Sequence, residues 1–308
     1  MAANSRLVTI VGSYNVGLLF KSQRLPSPGE TIIAEQFCEV AGGKGSNQAL
    51  ATAMLGGQVQ FVACVGDDRY GDDAFATFER QHINTKYVRR DSTTHTGMGA
   101  VLVDQGGRNL ISVAPGANYN LSEKDIDAAE GAFEKSLVVG FQLENRIEVV
   151  EYAIRKVHSR KVKVLLDPAP AAKLPDDIYP CIDFIKPNEH EAKILTGIVV
   201  TDVKSAARAG RWLVDRGVGV ALITLGQLGA VSVTADQEEH YAAHQVDATD
   251  TTGAGDVFSG AFLAAYSRGD TLDQCVRFAG AAAAISVTRL GVLESIPQLG
   301  EVVGLLSN

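Results

Sequence analysis

Short apolar runs bounded by Gly, Pro or Asp recur along the chain, and segments with helical spacing separate most of them. The runs predict buried strands at 7–12, 59–65, 137–141, 162–166, 184–185 and 218–225. Apolar positions three and four residues apart predict helices over 71–82, 145–160, 202–216 and 256–267. This alternation is typical of βαβ units. We therefore predict an α/β fold, a three-layer sandwich in which helices flank a mainly parallel central sheet.

Two regions break the alternation because no long helix separates their strands. The first has an apolar run at 18–20, a Pro-Ser-Pro-Gly turn and a strand over 31–40, and the second has strands over 97–103 and 109–114 joined by a Gln-Gly-Gly turn. We expect these strands to form a small antiparallel β lid from segments near 14–41 and 96–115, within one domain over 1–308. The alternative is an edge extension of the main sheet, since periodicity does not place strands in space.

Composition makes the chain an ordinary globular protein and narrows its partners. Its 308 residues are 46% hydrophobic and 21% charged, which excludes disorder. A net charge of -8 argues against nucleic acid and anionic membranes as partners, because both repel such a surface. The opening residues carry too short an apolar run for a signal peptide, so we expect a cytoplasmic protein. The widely spaced cysteines, Cys38, Cys64, Cys181 and Cys275, are expected to fill core positions as free thiols.

The segment 249–256, Thr-Asp-Thr-Thr-Gly-Ala-Gly-Asp, leads directly into a predicted helix. A glycine-rich turn at a helix start leaves backbone N–H groups free and points the positive end of the helix dipole at one spot, which suits a phosphoryl group. A carboxylate at Asp256 could then accept a proton from an attacking hydroxyl group while these amides stabilise the transferred phosphoryl group. Taken alone, the segment is more readily explained as an Asp cap on a helix that follows a turn.

A second glycine-rich segment, 42–49, precedes an apolar helix predicted over 49–55. Its small residues would let a ligand approach the backbone, and Lys44 and Asn47 add donors suited to hydroxyl groups. The segment is not a Walker A loop, because Cys38 stands where that motif has its first glycine. A plain strand-to-helix turn is the alternative.

Two later segments also carry polar groups next to predicted strands. In 186–191, Asn188 and Glu191 are one helical turn apart at the start of a helix predicted over 191–196, so they could face one hydrated Mg²⁺ and phosphate oxygens. The segment 224–229 ends an apolar strand, where α/β proteins bind ligands. Each of these segments, by itself, is also an ordinary helix start or turn.

Taken together and in this order, the four segments resemble the ribokinase family of carbohydrate kinases, also called the phosphofructokinase B family. The likeness covers nearly the whole chain, in segments 12–15, 28–31, 42–49, 65–68, 167–170, 187–191 and 250–256. Independent caps and turns would have no reason to reproduce that whole order. The resemblance implies an ATP-dependent kinase that phosphorylates a primary hydroxyl of a sugar, with ribose as the leading acceptor. It also implies Mg²⁺ and K⁺ as cofactors. If the lid strands pair between subunits, we expect a homodimer formed through the lid.

The resemblance assigns roles residue by residue. It makes Asp256 the base, with an anion hole formed by Gly253, Ala254 and Gly255. The positions that match the sugar side are Asn15, Gly17, Gly43, Lys44, Asn47, Glu144 and Asp256. Those that match the nucleotide side are Asn188, Thr224, Gly226, Gly229 and Gly255, while Glu191 belongs to the motif that organises Mg²⁺ through water. The positions that match a monovalent cation site are Asp250, Thr252, Ser286, Arg289, Gly291 and Ser295.

One departure from the family pattern bears on the acceptor. Ribokinases usually read Asn-x-Asp after the first strand, and this chain reads Asn15-Val16-Gly17. The lost carboxylate would have contributed roughly 1.5–3 kcal/mol to holding a sugar hydroxyl, about ten- to a hundredfold in affinity. A deoxy sugar, a different pentose or hexose, or a nucleoside would therefore also fit.

Two hypotheses from other classes compete with a kinase. A non-catalytic sugar or nucleotide sensor could keep the fold and lose efficient chemistry, but the intact Gly-Ala-Gly-Asp turn argues against it. A dinucleotide oxidoreductase would need a Gly-x-Gly-x-x-Gly turn after the first strand, and the middle glycine is missing there.

Overall fold

The structure is a computed structural model and describes residues 6–307. The strands are β1 (Leu7–Val11), β2 (Asn15–Lys21), β3 (Gln36–Gly42), β4 (Gln58–Gly66), β5 (Asn84–Asp91), β6 (Gly97–Val103), β7 (Asn109–Ala114), β8 (Val138–Phe141), β9 (Lys163–Leu166), β10 (Phe184–Ile185), β11 (Val220–Thr224), β12 (Ala230–Val233) and β13 (Glu238–Tyr241). The helices are α1 (Lys44–Met54), α2 (Arg69–Arg80), α3 (Glu123–Ala128), α4 (Glu130–Phe133), α5 (Ile147–Ser159), α6 (Glu189–Thr196), α7 (Val203–Val214), α8 (Ala254–Arg268), α9 (Leu272–Ser286) and α10 (Leu299–Leu306). None of these helices is long and apolar enough to cross a membrane.

Nine strands form the main sheet, in the order β13-β12-β11-β10-β9-β8-β1-β4-β5. From β11 to β5 every neighbouring pair runs parallel, while β12 and β13 return antiparallel at one edge. The carboxyl ends of the parallel strands therefore lie along one edge of the sheet, which is where a ligand site is expected in this class of fold.

Helices cover both faces of the main sheet, because alternate strand residues point to opposite faces. Phe61 of β4 belongs to a core formed with α1, α2, α8, α9 and α10. Its neighbour Val62 belongs to the other core, formed with α3 to α7. The predicted three-layer α/β sandwich with a mainly parallel sheet is confirmed.

The two irregular regions form a separate four-stranded sheet, in the order β3-β2-β6-β7. The outer pairs β2–β3 and β6–β7 are antiparallel, as predicted, while the central pair β2–β6 runs parallel. The sheet is thus not an edge extension of the main one. That it acts as a lid stays a prediction.

Several sequence-based boundaries and environments were wrong. Helix α1 begins at Lys44 and not at residue 49, and Gly45 in its first turn packs so closely that a Cβ there would lie 2.4 Å from the Ser13 nitrogen. Strand β3 begins at Gln36, five residues later than predicted. Cys38 is exposed and fills no core position, because β3 is an edge strand of the small sheet. Strand β5 was missed because its sequence, Asn-Thr-Lys-Tyr-Val-Arg-Arg-Asp, is mostly polar at the edge of the main sheet.

Candidate active site

The first turn of α8 lies at the carboxyl edge of the main sheet and carries Asp256, which is only 4% exposed. Gly253 precedes the helix with φ 77°, and a Cβ there would lie 2.8 Å from Cγ1 of Val292, so only glycine fits. Among residues 6–307 the amides of Gly253, Gly255 and Asp256 find no acceptor, as is normal for the first turn of a helix, whereas the Ala254 amide donates to the Thr251 carbonyl at 3.3 Å. The predicted combination of free amides and a carboxylate therefore exists at this helix start.

Helix α1 supplies two amide donors to the Asp256 carboxylate. Asn47 Nδ2 donates to Asp256 Oδ2 at 2.8 Å, and Gln48 Nε2 donates to Asp256 Oδ1 at 3.2 Å. The two helices can approach so closely because α8 has Gly260 at the crossing, where a Cβ would lie 2.7 Å from the Gln48 carbonyl oxygen. Thr52 Oγ1 also donates across the crossing to the Gly260 carbonyl at 3.1 Å. The packing of α1 on α8 thus fixes the orientation of the carboxylate.

The electrostatic environment of Asp256 suits a group that takes up a proton. Burial raises the pKa of Asp256, and nearby Lys44 opposes this increase. The pKa of Lys44 lies above its ordinary value, chiefly because the Asp256 carboxylate is close. A buried carboxylate with a raised pKa is a better proton acceptor than an exposed one, provided that the pH keeps it ionised.

A buried ion pair that the sequence analysis did not assign to the site lies beside Asp256. Asp167 Oδ2 accepts from Lys186 Nζ at 2.9 Å, from Gln48 Nε2 at 2.9 Å and from Ser259 Oγ at 3.2 Å. Lys186 also donates to the Gly255 carbonyl at 3.2 Å, which places its positive charge beneath the first turn of α8. Both charged residues directly follow neighbouring strands, β9 and β10, and this position is the signal that could have identified them.

Glu144 joins two of the other sugar-side positions, Asn15 and Lys44. Its Oε2 accepts from Ser13 Oγ at 2.5 Å, from Asn15 Nδ2 at 3.3 Å and from the Lys44 backbone nitrogen at 2.8 Å. The Asn15 amide is oriented from its other side by buried Asn118, whose Nδ2 donates to Asn15 Oδ1 at 2.8 Å. Asn118 was not predicted to belong to the site.

Two glycines complete this region. Gly43 has φ 94°, and a Cβ there would lie 2.8 Å from the Asn15 nitrogen, so a side chain at this position would block the approach of the two segments. Gly17 follows Asn15 by two residues on β2 and therefore shares its face of the strand. A Cβ at Gly17 would meet only the Val40 carbonyl oxygen, at 3.6 Å, so the position has room for a side chain.

The predicted nucleotide-side residues lie at the ends of β10 and β11. Asn188 and Glu191 cap α6 reciprocally, with the Asn188 side chain accepting from the Glu191 amide at 2.9 Å and Glu191 Oε2 accepting from the Asn188 amide at 2.8 Å. Thr224 forms an isolated bridge with Asn188. Burial, and then the nearby Asp167 carboxylate, raises the pKa of Glu191. The turn that follows has Gly226 and Gly229 at positive φ, 52° and 90°.

Two loops carry the positions predicted for a monovalent cation. Asp250 joins them, since its Oδ1 accepts from the Thr252 amide at 2.9 Å and its Oδ2 from the Gly291 amide at 3.2 Å. Burial tends to raise the pKa of Asp250, but these hydrogen bonds bring it below its usual value. The remaining predicted positions lie at the end of α9 and in the loop before α10: Ser286, Arg289 and Ser295. Arg289 is engaged in an ion pair with Glu301.

Comparison with known proteins gives a consistent result. The pfkB family carbohydrate kinase profile matches residues 5–299. A ribokinase from Haemophilus influenzae is 37% identical over 98% of this chain and 99% of its own, and a deoxyribokinase from Salmonella typhi is 38% identical over 95% of this chain and 96% of its own. The solved structure of Arabidopsis thaliana ribokinase complexed with ribose and ATP superposes with a TM-score of 0.91 at 29% identity, covering 99% of each chain.

Proposed function

Since this chain belongs to the pfkB family of carbohydrate kinases and is an ATP-dependent sugar kinase, we propose that it phosphorylates the primary hydroxyl of ribose, with Asp256 as the general base. The unpaired amides of Gly253 and Gly255 form the anion hole that receives the transferred phosphoryl group, together with the Ala254 amide, whose hydrogen bond to the Thr251 carbonyl is long, at 3.3 Å. The sugar lies against Asn15, Gly43, Lys44, Asn47 and Glu144, beside Gly17. ATP lies against Asn188, Thr224, Gly226, Gly229 and Gly255.

The observation that carries this proposal is the buried Asp256 carboxylate on the same helical turn as unpaired backbone amides. Phosphoryl transfer depends mostly on positioning and on electrostatic stabilisation, and this arrangement supplies both at one point. The acceptor hydroxyl gives its proton to Asp256 as its oxygen bonds to the γ-phosphorus, and the bond from that phosphorus to the oxygen of ADP breaks. Lys44 and the amides offset the negative charge that gathers there.

Mg²⁺ fits this site only as a hydrated ion. No three His, Cys, Asp or Glu side chains in the 6–307 range converge to hold a metal, whereas Mg²⁺ commonly keeps several waters and binds substrate phosphates. Glu191 supplies carboxylate oxygens next to Asn188, and Asp167 Oδ1 is buried without a hydrogen-bond partner. Glu191 would hold the water ligands of Mg²⁺. When bound, the ion offsets the negative charge of the phosphates.

The test compares Asp256→Asn with the unmodified chain in an ADP-release assay over ribose, 2-deoxyribose, hexoses and nucleosides. We expect the variant to lose kcat by a factor of about 10²–10⁴, because it lacks the proton acceptor, while the KM for ATP changes little. Asp91→Asn serves as the matched control, since Asp91 is also a buried, hydrogen-bonded carboxylate but lies on β5, at the far edge of the sheet. Near-normal turnover by Asp256→Asn would contradict the mechanism, and binding without turnover by the unmodified chain would indicate a sensor.

A second acceptor, 2-deoxyribose, is favoured by one observation. Gly17 leaves an open position where the family usually provides a carboxylate for sugar hydroxyls, and a sugar with one hydroxyl fewer needs one partner fewer. The deoxyribokinase relative at 38% identity supports the same alternative. The ratio of kcat/KM for the two sugars in the panel decides between them.

The remaining proposals concern assembly, cations and location. The small sheet exposes apolar side chains, including Ile111 at 60% and Val113 at 54%, which supports a homodimer formed through the lid. The two loops joined by Asp250 support a K⁺ site next to the anion hole. The free cysteines agree with a reducing compartment and so support a cytoplasmic location.

A further inference from the structure

We propose that Gln48 is a positioning residue for the catalytic base: its side-chain amide links the Asp256 carboxylate to the buried Asp167–Lys186 ion pair and keeps Asp256 both oriented and ionised. This inference rests on the proposed role of Asp256. The evidence for this positioning role is the hydrogen bonding, burial and packing of Gln48.

The Gln48 side chain is completely buried, and both its amide nitrogen and its amide oxygen form hydrogen bonds. Its two Nε2 hydrogens are directed to two carboxylates, Asp167 Oδ2 at 2.9 Å and Asp256 Oδ1 at 3.2 Å. Its Oε1 accepts from Gln142 Nε2 at 2.6 Å. Because ionised carboxylates can only accept, the Gln48 amide nitrogen must face Asp167 and Asp256, and its Oε1 is left to accept from Gln142.

The position of Gln142 is fixed in turn by the first strand. Gln142 directly follows β8, and the neighbouring strand β1 ends just before Gly12. A Cβ at Gly12 would lie 2.3 Å from Gln142 Oε1, so only glycine leaves room for the amide. Gln142 therefore donates a hydrogen bond to Gln48, and Gln48 donates one to the Asp256 carboxylate.

Charge explains why a neutral amide is needed between the two acids. Asp167 and Asp256 are 1% and 4% exposed, and the proximity of Asp167 adds to the effect of burial on the pKa of Asp256. Lys186 neutralises Asp167 from the other side. An amide donates to both carboxylates without adding charge, whereas an acid at position 48 would place a third negative group between them and a hydrocarbon would leave both with one donor fewer.

The experiment measures kcat/KM for ribose against pH, at saturating ATP, for the unmodified chain and for Gln48→Met and Gln48→Glu. The acid limb of this profile reports the pKa of the group that must be ionised. We expect that limb to move to higher pH in the order unmodified, Gln48→Met, Gln48→Glu, by about one unit or more in the Glu variant. At pH 7 we expect kcat to fall by a factor of about 10 or more in both variants, because the base is misoriented as well.

A matched control separates positioning from ordinary loss of packing. Gln60 is also a buried glutamine, but it donates to the backbone carbonyls of Phe61 and Asn84 and lies outside the site. Gln60→Met and Gln60→Glu should lower thermal stability and leave the acid limb unchanged. If Gln48→Glu does not fold, Gln48→Met alone carries the test.

The outcomes separate this inference from the proposed function. An acid limb that stays in place in the folded Gln48 variants, with kcat within threefold of the unmodified chain, overturns the positioning role while the kinase assignment stands. The same holds if the Gln60 variants move the limb equally. If the unmodified chain phosphorylates no sugar in the panel, the proposed function fails first.

Discussion

The carboxylate missing from β2 allows a direct test of which sugar is the acceptor, because Gly17→Asp restores the usual family pattern at one position. The structure accommodates this change without strain. The φ of Gly17 is not positive, so a side chain causes no backbone strain. A Cβ there would make only one contact, at 3.6 Å from the Val40 carbonyl oxygen. At about 3.3 Å per strand residue, the new side chain would lie about 7 Å along β2 from Asn15, on the same face.

The size of the effect follows from the type of hydrogen bond. A charged acceptor on a sugar hydroxyl contributes about 1.5–3 kcal/mol, which corresponds to about ten- to a hundredfold in affinity. Glu144, which accepts from Asn15 on the same strand, already places negative charge nearby, and like charges reduce the gain. We therefore expect the lower end of this range, a decrease of about tenfold in the KM for ribose, with little change in kcat because the new group does not contact the reacting atoms.

Initial rates of ADP release with ribose and 2-deoxyribose at saturating ATP measure this effect. Gly17→Asn, of nearly equal size but uncharged, controls for volume, and Gly17→Ala controls for the backbone. The charged variant should gain the most for ribose. If all three variants leave the ribose KM within twofold of the unmodified chain while their melting temperatures stay unchanged, the open position does not lie over the sugar and the reasoning is wrong.

Two further predictions concern the small sheet and its junction with the main domain. The unmodified chain should sediment as a dimer at micromolar concentration, and the double variant Ile111→Asp, Val113→Asp should sediment as a monomer. The control Val199→Asp, at an exposed apolar residue outside the lid, should remain a dimer. An unmodified chain that sediments as a monomer would refute dimerisation through the lid. Asn118→Asp should raise the KM for the sugar at least fivefold and more than Asn118→Ala, because it places an oxygen against the Tyr14 carbonyl and Asn15 Oδ1, to which Nδ2 now donates. Equal effects on the KM for ATP and for the sugar would contradict this role.

The main sheet could be predicted because most of its strands are buried on both faces and read as continuous apolar runs. Strand β5 was not predicted because an edge strand buries less, and in its eight residues only Val88 and Asp91 are buried. The separate small sheet could also be predicted, since no helix separates β2 from β3 or β6 from β7. The parallel pairing of β2 with β6 could not, because local sequence does not encode which distant strand will be a neighbour.

The candidate site divides in the same way. Asp256 and its glycine turn are contiguous in sequence, so a motif suffices to find them. Four further residues come from separate segments of the chain: Lys186, Asp167, Gln142 and Gly12. They meet only because the strands that precede them, β10, β9, β8 and β1, are neighbours in that order. Each of the four directly follows the end of its strand, so the pattern is visible once the order of the sheet is known.

This row of residues also resolves an apparent conflict between composition and function. A net charge of -8 would repel a polyanion such as nucleic acid, yet the proposed substrate, ATP, is itself an anion. Surface charge acts over about 8–10 Å before salt screens it, whereas buried groups act at contact distance in a less polar medium. Lys186 and Lys44 balance the buried carboxylates of Asp167 and Asp256, which leaves the free amides at the start of α8 to attract a phosphoryl group at contact distance. An acidic protein can therefore hold a small phosphate ester at this helix start even though its net charge disfavours binding to polyanions.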